Sequence, residues 1–160
     1  VVGLFLYLIL SRSGPLGILE LLYTPTAMII AQVILIVPIV ASLTYQVIEE
    51  LNREYNDLFL SLKISPQKAV FAYLWDARYA LLTTLLAGFG RAISEVGAVM
   101  IVGGNINHLT RIMTTAIALE TSRGELSLAL SLGIVLLTIT LLVNAIVMSI
   151  KTFAAEKGYV

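Results

Sequence analysis

The sequence predicts an all-α fold, that of a polytopic helical membrane protein. Hydrophobic residues make up 59% of the 160 residues and charged residues only 12%, with a mean hydropathy of +0.97. Soluble domains are about half apolar and about a quarter charged. Several apolar stretches are also long enough for the roughly 20 helical residues that cross a hydrocarbon core. We therefore expect residues 1–160 to form a single transmembrane domain in lipid.

The first predicted elements are a partial span and a full span. Residues 1–11 begin within an apolar run, with neither an initiator methionine nor a basic signal-peptide region. A helix over residues 1–10 rises only about 15 Å, so we expect further N-terminal helices before Val1. Residues 11–17 contain Ser, Arg, Gly and Pro, which favour a turn. Residues 26–47 carry no charge and form the first full span.

The rest of the chain is predicted to alternate between solvent and lipid. Residues 48–78 hold nearly half of the charged residues and therefore form a solvent-side loop. Residues 79–102 and 126–150 are two further spans. Residues 103–125 are too short and polar to cross, and we expect there a surface or re-entrant helix that begins at Asn107 or Thr110 and ends near Ser122 and Gly124.

The distribution of basic residues predicts the orientation, because cytoplasmic loops carry an excess of Lys and Arg. The loop 48–78 and the segment after the last span are rich in them, whereas the opposite segments have fewer. We expect the loop and the C-terminus to be cytoplasmic and the protein to lie in the inner (cytoplasmic) membrane. The residues concerned are Arg53, Lys63, Lys68, Arg78, Lys151 and Lys157 on one side and Arg12, Arg111 and Arg123 on the other.

The loop is predicted to contain a helix, a turn and a second helix. Its apolar residues recur at helical spacing on one face, as Leu51, Tyr55, Leu58 and Leu62. Pro66 disfavours continuation of the first helix. An amphipathic helix of this kind either rests on lipid headgroups or docks a partner, and the pattern alone leaves both interpretations open.

Residues 57–66, Asp-Leu-Phe-Leu-Ser-Leu-Lys-Ile-Ser-Pro, occupy the place of the cytoplasmic Glu-Ala-Ala…Gly motif in the membrane subunits of ABC importers, which this loop resembles. The match departs from the motif, because Asp57 replaces the glutamate, Leu58 and Phe59 the alanines, and Lys63 the glycine. The resemblance implies a coupling helix that binds a cytoplasmic ATPase. The implied docking residues are Asp57, Leu58, Phe59, Leu62, Lys63 and Ser65.

The span 79–102 contains Arg91 and Glu95. A charge within a span costs about 2.5 to 3.5 kcal/mol on insertion scales, so such residues face protein or a water-filled cavity. At helical spacing they share a small, polar face with Ala87, Ser94 and Ala98. Either the two charges pair and fix a helix contact, or they line a passage for an anion. The predicted path residues are Arg91, Ser94, Glu95 and Gly97.

Residues 88–106, Gly-Phe-Gly-Arg-Ala-Ile-Ser-Glu-Val-Gly-Ala-Val-Met-Ile-Val-Gly-Gly-Asn-Ile, resemble the signature of tungstate-type permeases, which have molybdate and sulfate relatives; residues 11–17 and 110–123 resemble the same group. The resemblance implies a type I ABC importer permease for tungstate, or for molybdate or sulfate. It also implies a homodimer, an extracytoplasmic oxyanion-binding protein, and a cytoplasmic ATPase dimer that holds ATP and Mg²⁺.

Other activities are disfavoured by the composition. The chain has no Cys and one His, His108, so a metal centre is not expected. It lacks a Gly-rich phosphate loop, so we expect no ATP hydrolysis and no bound cofactor on this chain. Ten basic and ten acidic residues cancel, which gives no field to attract nucleic acid. Two other functions remain open: an ion-coupled secondary transporter or channel without an ATPase, and a purely structural membrane subunit.

Overall fold

A computed structural model describes the backbone of residues 1–157 and the side chains of residues 1–153. Over residues 1–157 the chain is helical and contains no strand, which confirms the predicted all-α fold. Residues 158–160, at the end of the predicted domain, and the side chain of Lys157 lie outside the described part. The helices are α1 (Val2–Leu10), a 3-10 helix (Gly17–Leu19), α2 (Pro25–Ser61), α3 (Pro66–Asp76), α4 (Arg78–Ser94), α5 (Gly97–Gly103), α6 (Met113–Arg123) and α7 (Leu126–Lys157).

Two helices in the described chain, α2 and α7, are long and apolar enough to cross a membrane. Helices α4 and α5 form a third candidate if they are one span, bent by 58° at the break between them. Large apolar side chains on α2 and α7 are exposed, for example Ile29 at 60% and Leu130 at 67%. Exposed apolar surface of this kind is stable in lipid, where it has no water to avoid.

Contacts divide the described chain into two units, of which the first comprises residues 1–37 and 90–143. Its core consists of buried apolar side chains from three helices: Leu6 and Leu10 of α1, Ala27 and Ala31 of α2, and Val102 of α5. Helices α1 and α5 approach closely, since a Cβ placed on Gly3 would lie 2.6 Å from the Cα of Ala98. Glycine is therefore required at Gly3 for this packing.

The segment between α5 and α6, in the same unit, is organised around Thr110. Its side chain is 2% exposed; the hydroxyl donates to the Gly103 carbonyl (2.6 Å) and accepts from the Ile106 N–H (2.8 Å). Because Thr110 closes this loop, α6 begins at Met113, and the predicted start at Asn107 or Thr110 is wrong. The predicted end is confirmed, because α6 ends at Arg123 before Gly124, whose φ is +83°.

The second unit comprises residues 38–89 and the chain from residue 144 onward. It contains α3 with the adjoining parts of α2 and α4 and the C-terminal part of α7. The ammonium group of Lys151 on α7 donates to the hydroxyl of Thr83 on α4 (2.9 Å). Helix α2 continues to Ser61, beyond the predicted span 26–47, so the helix is longer than the span that the sequence predicts.

Candidate functional site

The tip of the loop 48–78 is a tight helix end. After α2 ends at Ser61, the Ile64 N–H donates to the Phe59 carbonyl (3.1 Å) and the Lys63 N–H to the Leu60 carbonyl (3.2 Å). Lys63 has a φ of +52°. This pair of hydrogen bonds around a left-handed residue is the Schellman motif, in which glycine is the usual residue. The structure thus explains why glycine is expected at this point of the motif and shows that Lys63 adopts the same conformation.

An aromatic cluster joins the two helices of the loop. The ring centroid of Phe59 lies 5.9 Å from that of Tyr55 and 5.3 Å from that of Tyr73 on α3. The Tyr73 hydroxyl donates to the Asn52 carboxamide oxygen (2.9 Å). Phe59, a predicted docking residue, is half-buried against its own loop. Its ring therefore packs between the two helices and stabilises the tip.

The other predicted docking residues lie at the surface of the tip. Leu58 is 50% and Leu62 62% exposed, whereas Tyr55, on the same predicted face, is half-buried. The reason is geometric: α3 packs on the face of α2 that carries Tyr55 and Phe59, and Leu62 follows the end of the helix. Asp57, Lys63 and Ser65 are exposed as well.

The charged part of the third candidate span is a break between two helices. Helix α4 ends at Ser94 and α5 begins at Gly97, with Glu95 and Val96 between them. The Arg91 guanidinium pairs with Glu95 Oε2 at 2.8 Å, and the two side chains are 39% and 15% exposed. Glu95 Oε1 accepts the Ala98 N–H (2.9 Å). Glu95 thus contacts both sides of the break.

The remaining path candidates surround this pair. The Ser94 hydroxyl donates to the Arg91 carbonyl (2.9 Å). Arg91, Glu95 and Gly97 line one cleft of about 310 Å³. A Cβ at Gly97 would meet only Glu95 Oε1, at 3.8 Å, so this glycine is not required by packing within the described chain. The helical face predicted from Ala87 to Ala98 is interrupted at Glu95.

One contributor was missed from the sequence. The Gln32 side-chain amide, on α2, donates to the Ala92 carbonyl (3.5 Å), in the last turn of α4. The signal was available, because Gln32 is a polar residue within the charge-free span 26–47.

Among residues 1–153, whose side chains the structure describes, no group of three His, Cys, Asp or Glu could hold a metal ion. His108 is exposed in the loop before α6, where its φ is +61°.

Three curated relatives are each 43% identical to this chain. Two are tungstate uptake system permease proteins, from Peptoclostridium acidaminophilum (94% of this chain and 66% of the relative) and Campylobacter jejuni (94% and 63%). The third is a probable anion ABC transporter permease protein from Haloferax volcanii (91% and 65%).

The chain spans just under two thirds of the length of these relatives. No family model matches it, and no solved structure matches it significantly. The identity nevertheless extends over nearly the whole of residues 1–160. The chain belongs to the family of membrane permease proteins that includes the tungstate uptake and anion ABC transporter permeases.

Proposed function

We propose that this chain is part of the membrane-spanning subunit of an ATP-driven importer of an oxyanion, with tungstate as the first candidate and molybdate or sulfate as related cargo. The observation that carries the proposal is the 43% identity, over 94% of the chain, to permeases of tungstate uptake systems. The chain transports and does not hydrolyse ATP. ATP and Mg²⁺ belong to a separate ATPase.

The tip of the loop 48–78 is the proposed contact with that ATPase dimer, in the cytoplasm. Its exposed apolar side chains, Leu58 and Leu62, cost free energy in water and are stabilised when a partner covers them. Asp57, Lys63 and Ser65 add polar groups beside them. Phe59 holds the tip in shape from within.

Arg91 is the proposed contact with cargo. Its guanidinium is 39% exposed in the cleft, and guanidinium groups bind oxyanions through parallel hydrogen bonds. In the structure the Glu95 carboxylate is already paired with this guanidinium. An arriving oxyanion therefore competes with Glu95 for Arg91. Ser94 and Gly97 keep the neighbouring surface small and polar.

The remaining partners are a second permease copy and an extracytoplasmic binding protein that delivers the oxyanion. A homodimer places two Arg91 side chains along one path between the copies. The inner (cytoplasmic) membrane is the proposed location, with the loop and the C-terminus in the cytoplasm.

The experiment measures ATP hydrolysis and oxyanion uptake together, in vesicles holding the full-length permease, its ATPase and its binding protein. Leu62→Glu places a charge in the proposed contact and is expected to abolish uptake while the protein still inserts into membranes; Asp57→Arg is expected to act likewise. Leu62→Met keeps the apolar surface and is the matched control. Unaltered coupled transport by Leu62→Glu would contradict the docking proposal, and uptake without any ATPase would favour an ion-coupled transporter.

A further inference from the structure

Helix α3 has an exposed apolar face that is separate from the proposed docking tip. Its members are exposed as follows: Val70 56%, Phe71 75%, Leu74 45% and Trp75 68%. At 100° per residue these four positions occupy one arc of about 140° around the helix. Asp76 is the only acidic residue of α3 and lies outside this arc. We call this surface the apolar face of α3.

Another side of α3, that of Tyr73, is held against α2, so the helix cannot rotate to bury this face. Tyr73 and Ala77 are 9% and 3% exposed. Tyr73 is bound to Asn52 on α2 and packs against Phe59. The apolar face is therefore left for a partner outside the described chain.

The face continues directly into the third candidate span, because only Ala77 separates α3 from α4. Arg78 joins the two: its guanidinium carbon lies 4.9 Å from the Trp75 ring centroid and 4.5 Å from that of Tyr79. The four residues from Trp75 to Tyr79 rise by about 6 Å at most in a helix. A headgroup layer is about 5–7 Å thick on each side of the hydrocarbon. Trp75 thus falls within the headgroup layer if the lipid begins at Tyr79.

We propose that the apolar face of α3 binds the lipid surface, with α3 lying along the membrane and Phe71 and Trp75 inserted at the boundary between headgroups and acyl chains. Helices of this kind bury aromatic and aliphatic side chains at that boundary and carry Lys or Arg at its edge. Lys68 is aligned with Trp75 about two turns earlier on the helix, and Arg78 follows the end of α3. These cations favour anionic headgroups.

Lipid fits this face better than the ATPase does. The proposed ATPase contacts lie around Leu62 and Lys63, before α3 begins, whereas Trp75 lies at its other end. The aromatic rings and Arg78 continue the surface of a helix that itself is proposed to cross the membrane. The inference requires that α4 enters the membrane and is independent of the cargo.

Trp75 is the only tryptophan of residues 1–160, so tryptophan fluorescence from this part of the chain reports on the surroundings of Trp75. The test uses the full-length permease in vesicles of phosphatidylcholine and phosphatidylglycerol, with any tryptophan outside residues 1–160 replaced by phenylalanine. Fluorescence is compared between unlabelled lipid, lipid brominated near the headgroup and lipid brominated at mid-chain. Trp75→Phe gives the background. A second protein, Trp75→Phe with Phe71→Trp, reports from the next turn of the face.

Both tryptophans are expected to lose roughly half of their fluorescence to bromine near the headgroup and less to bromine at mid-chain, because interfacial helices lie at that depth. Neither is expected to be quenched strongly by aqueous iodide. Iodide quenching without bromine quenching at either position would overturn the proposal. Protection from iodide that occurs only when the ATPase is added would also overturn it, and would assign the face to the ATPase.

Discussion

The hydrogen bonds of Glu95 predict two separable losses of stability. Glu95→Gln removes the ion pair with Arg91 but retains an oxygen that can accept the Ala98 N–H. Exposed pairs contribute at most about 1 kcal/mol and breaking a buried pair costs about 3–5 kcal/mol. Because Arg91 is 39% and Glu95 15% exposed, we expect an intermediate cost, about 1–2 kcal/mol. Glu95→Ala also removes the acceptor of Ala98, which adds about 1–3 kcal/mol.

The assay is the thermal unfolding midpoint of the purified full-length permease in detergent. The expected order of midpoints is wild type, then Glu95→Gln, then Glu95→Ala. Glu125→Gln removes the same charge from an exposed position before α7 and is expected to match the wild type. Equal midpoints for Glu95→Gln and Glu95→Ala would refute the argument that Glu95 holds the second helix of the break.

The same pair separates a structural role from a transport role. Arg91→Ala is expected to lower oxyanion uptake per assembled permease by about tenfold or more, the equivalent of about 1.4 kcal/mol. Its effect on assembly is expected to be smaller, because Glu95 keeps its bond to Ala98. Parallel losses of uptake and assembly would show that the pair serves only to fix a helix contact.

Two further predictions concern packing in the first unit. Gly3→Ala is expected to destabilise the protein by about 1–3 kcal/mol, because its Cβ would lie 2.6 Å from the Ala98 Cα. The control is Gly133→Ala, where a Cβ meets nothing within 4 Å. Equal unfolding midpoints for the two variants would contradict the reasoning. Thr110→Val is expected to cost about 2–3 kcal/mol, since it leaves the buried Gly103 carbonyl and Ile106 N–H unpaired, and an unchanged unfolding midpoint would contradict this.

Composition and hydropathy were sufficient to predict the fold class and the apolar helices, because the length of an apolar run is a direct consequence of membrane thickness. The ends of the helices were harder to predict from the sequence. The helix α2 extends to Ser61 because nothing in its sequence breaks it at the end of the predicted span. The start of α6 depends on the side chain of Thr110, which contacts residues up to seven positions away. Helix start signals are read from neighbouring residues, so they do not predict such a contact.

The members of the candidate site stay predictions from the sequence, whereas the geometry around them could not be predicted from it. The spacing of Arg91 and Glu95 left an ion pair and an anion path both open; the structure shows the ion pair, and the path stays a prediction. The spacing did not predict that the helix ends at Ser94, because no proline lies nearby and the glycines are compatible with a helix. The packing of Phe59 onto Tyr73 was also beyond a helical-spacing argument, since it depends on how α3 folds back onto α2.

The Schellman turn at Lys63 has a mechanical consequence. Two backbone hydrogen bonds lock the apex, and the contacts of Tyr73 with Asn52 and Phe59 tie the two arms together below it. Because these contacts link α2 and α3, we expect a displacement of the turn to move the adjoining ends of both helices together.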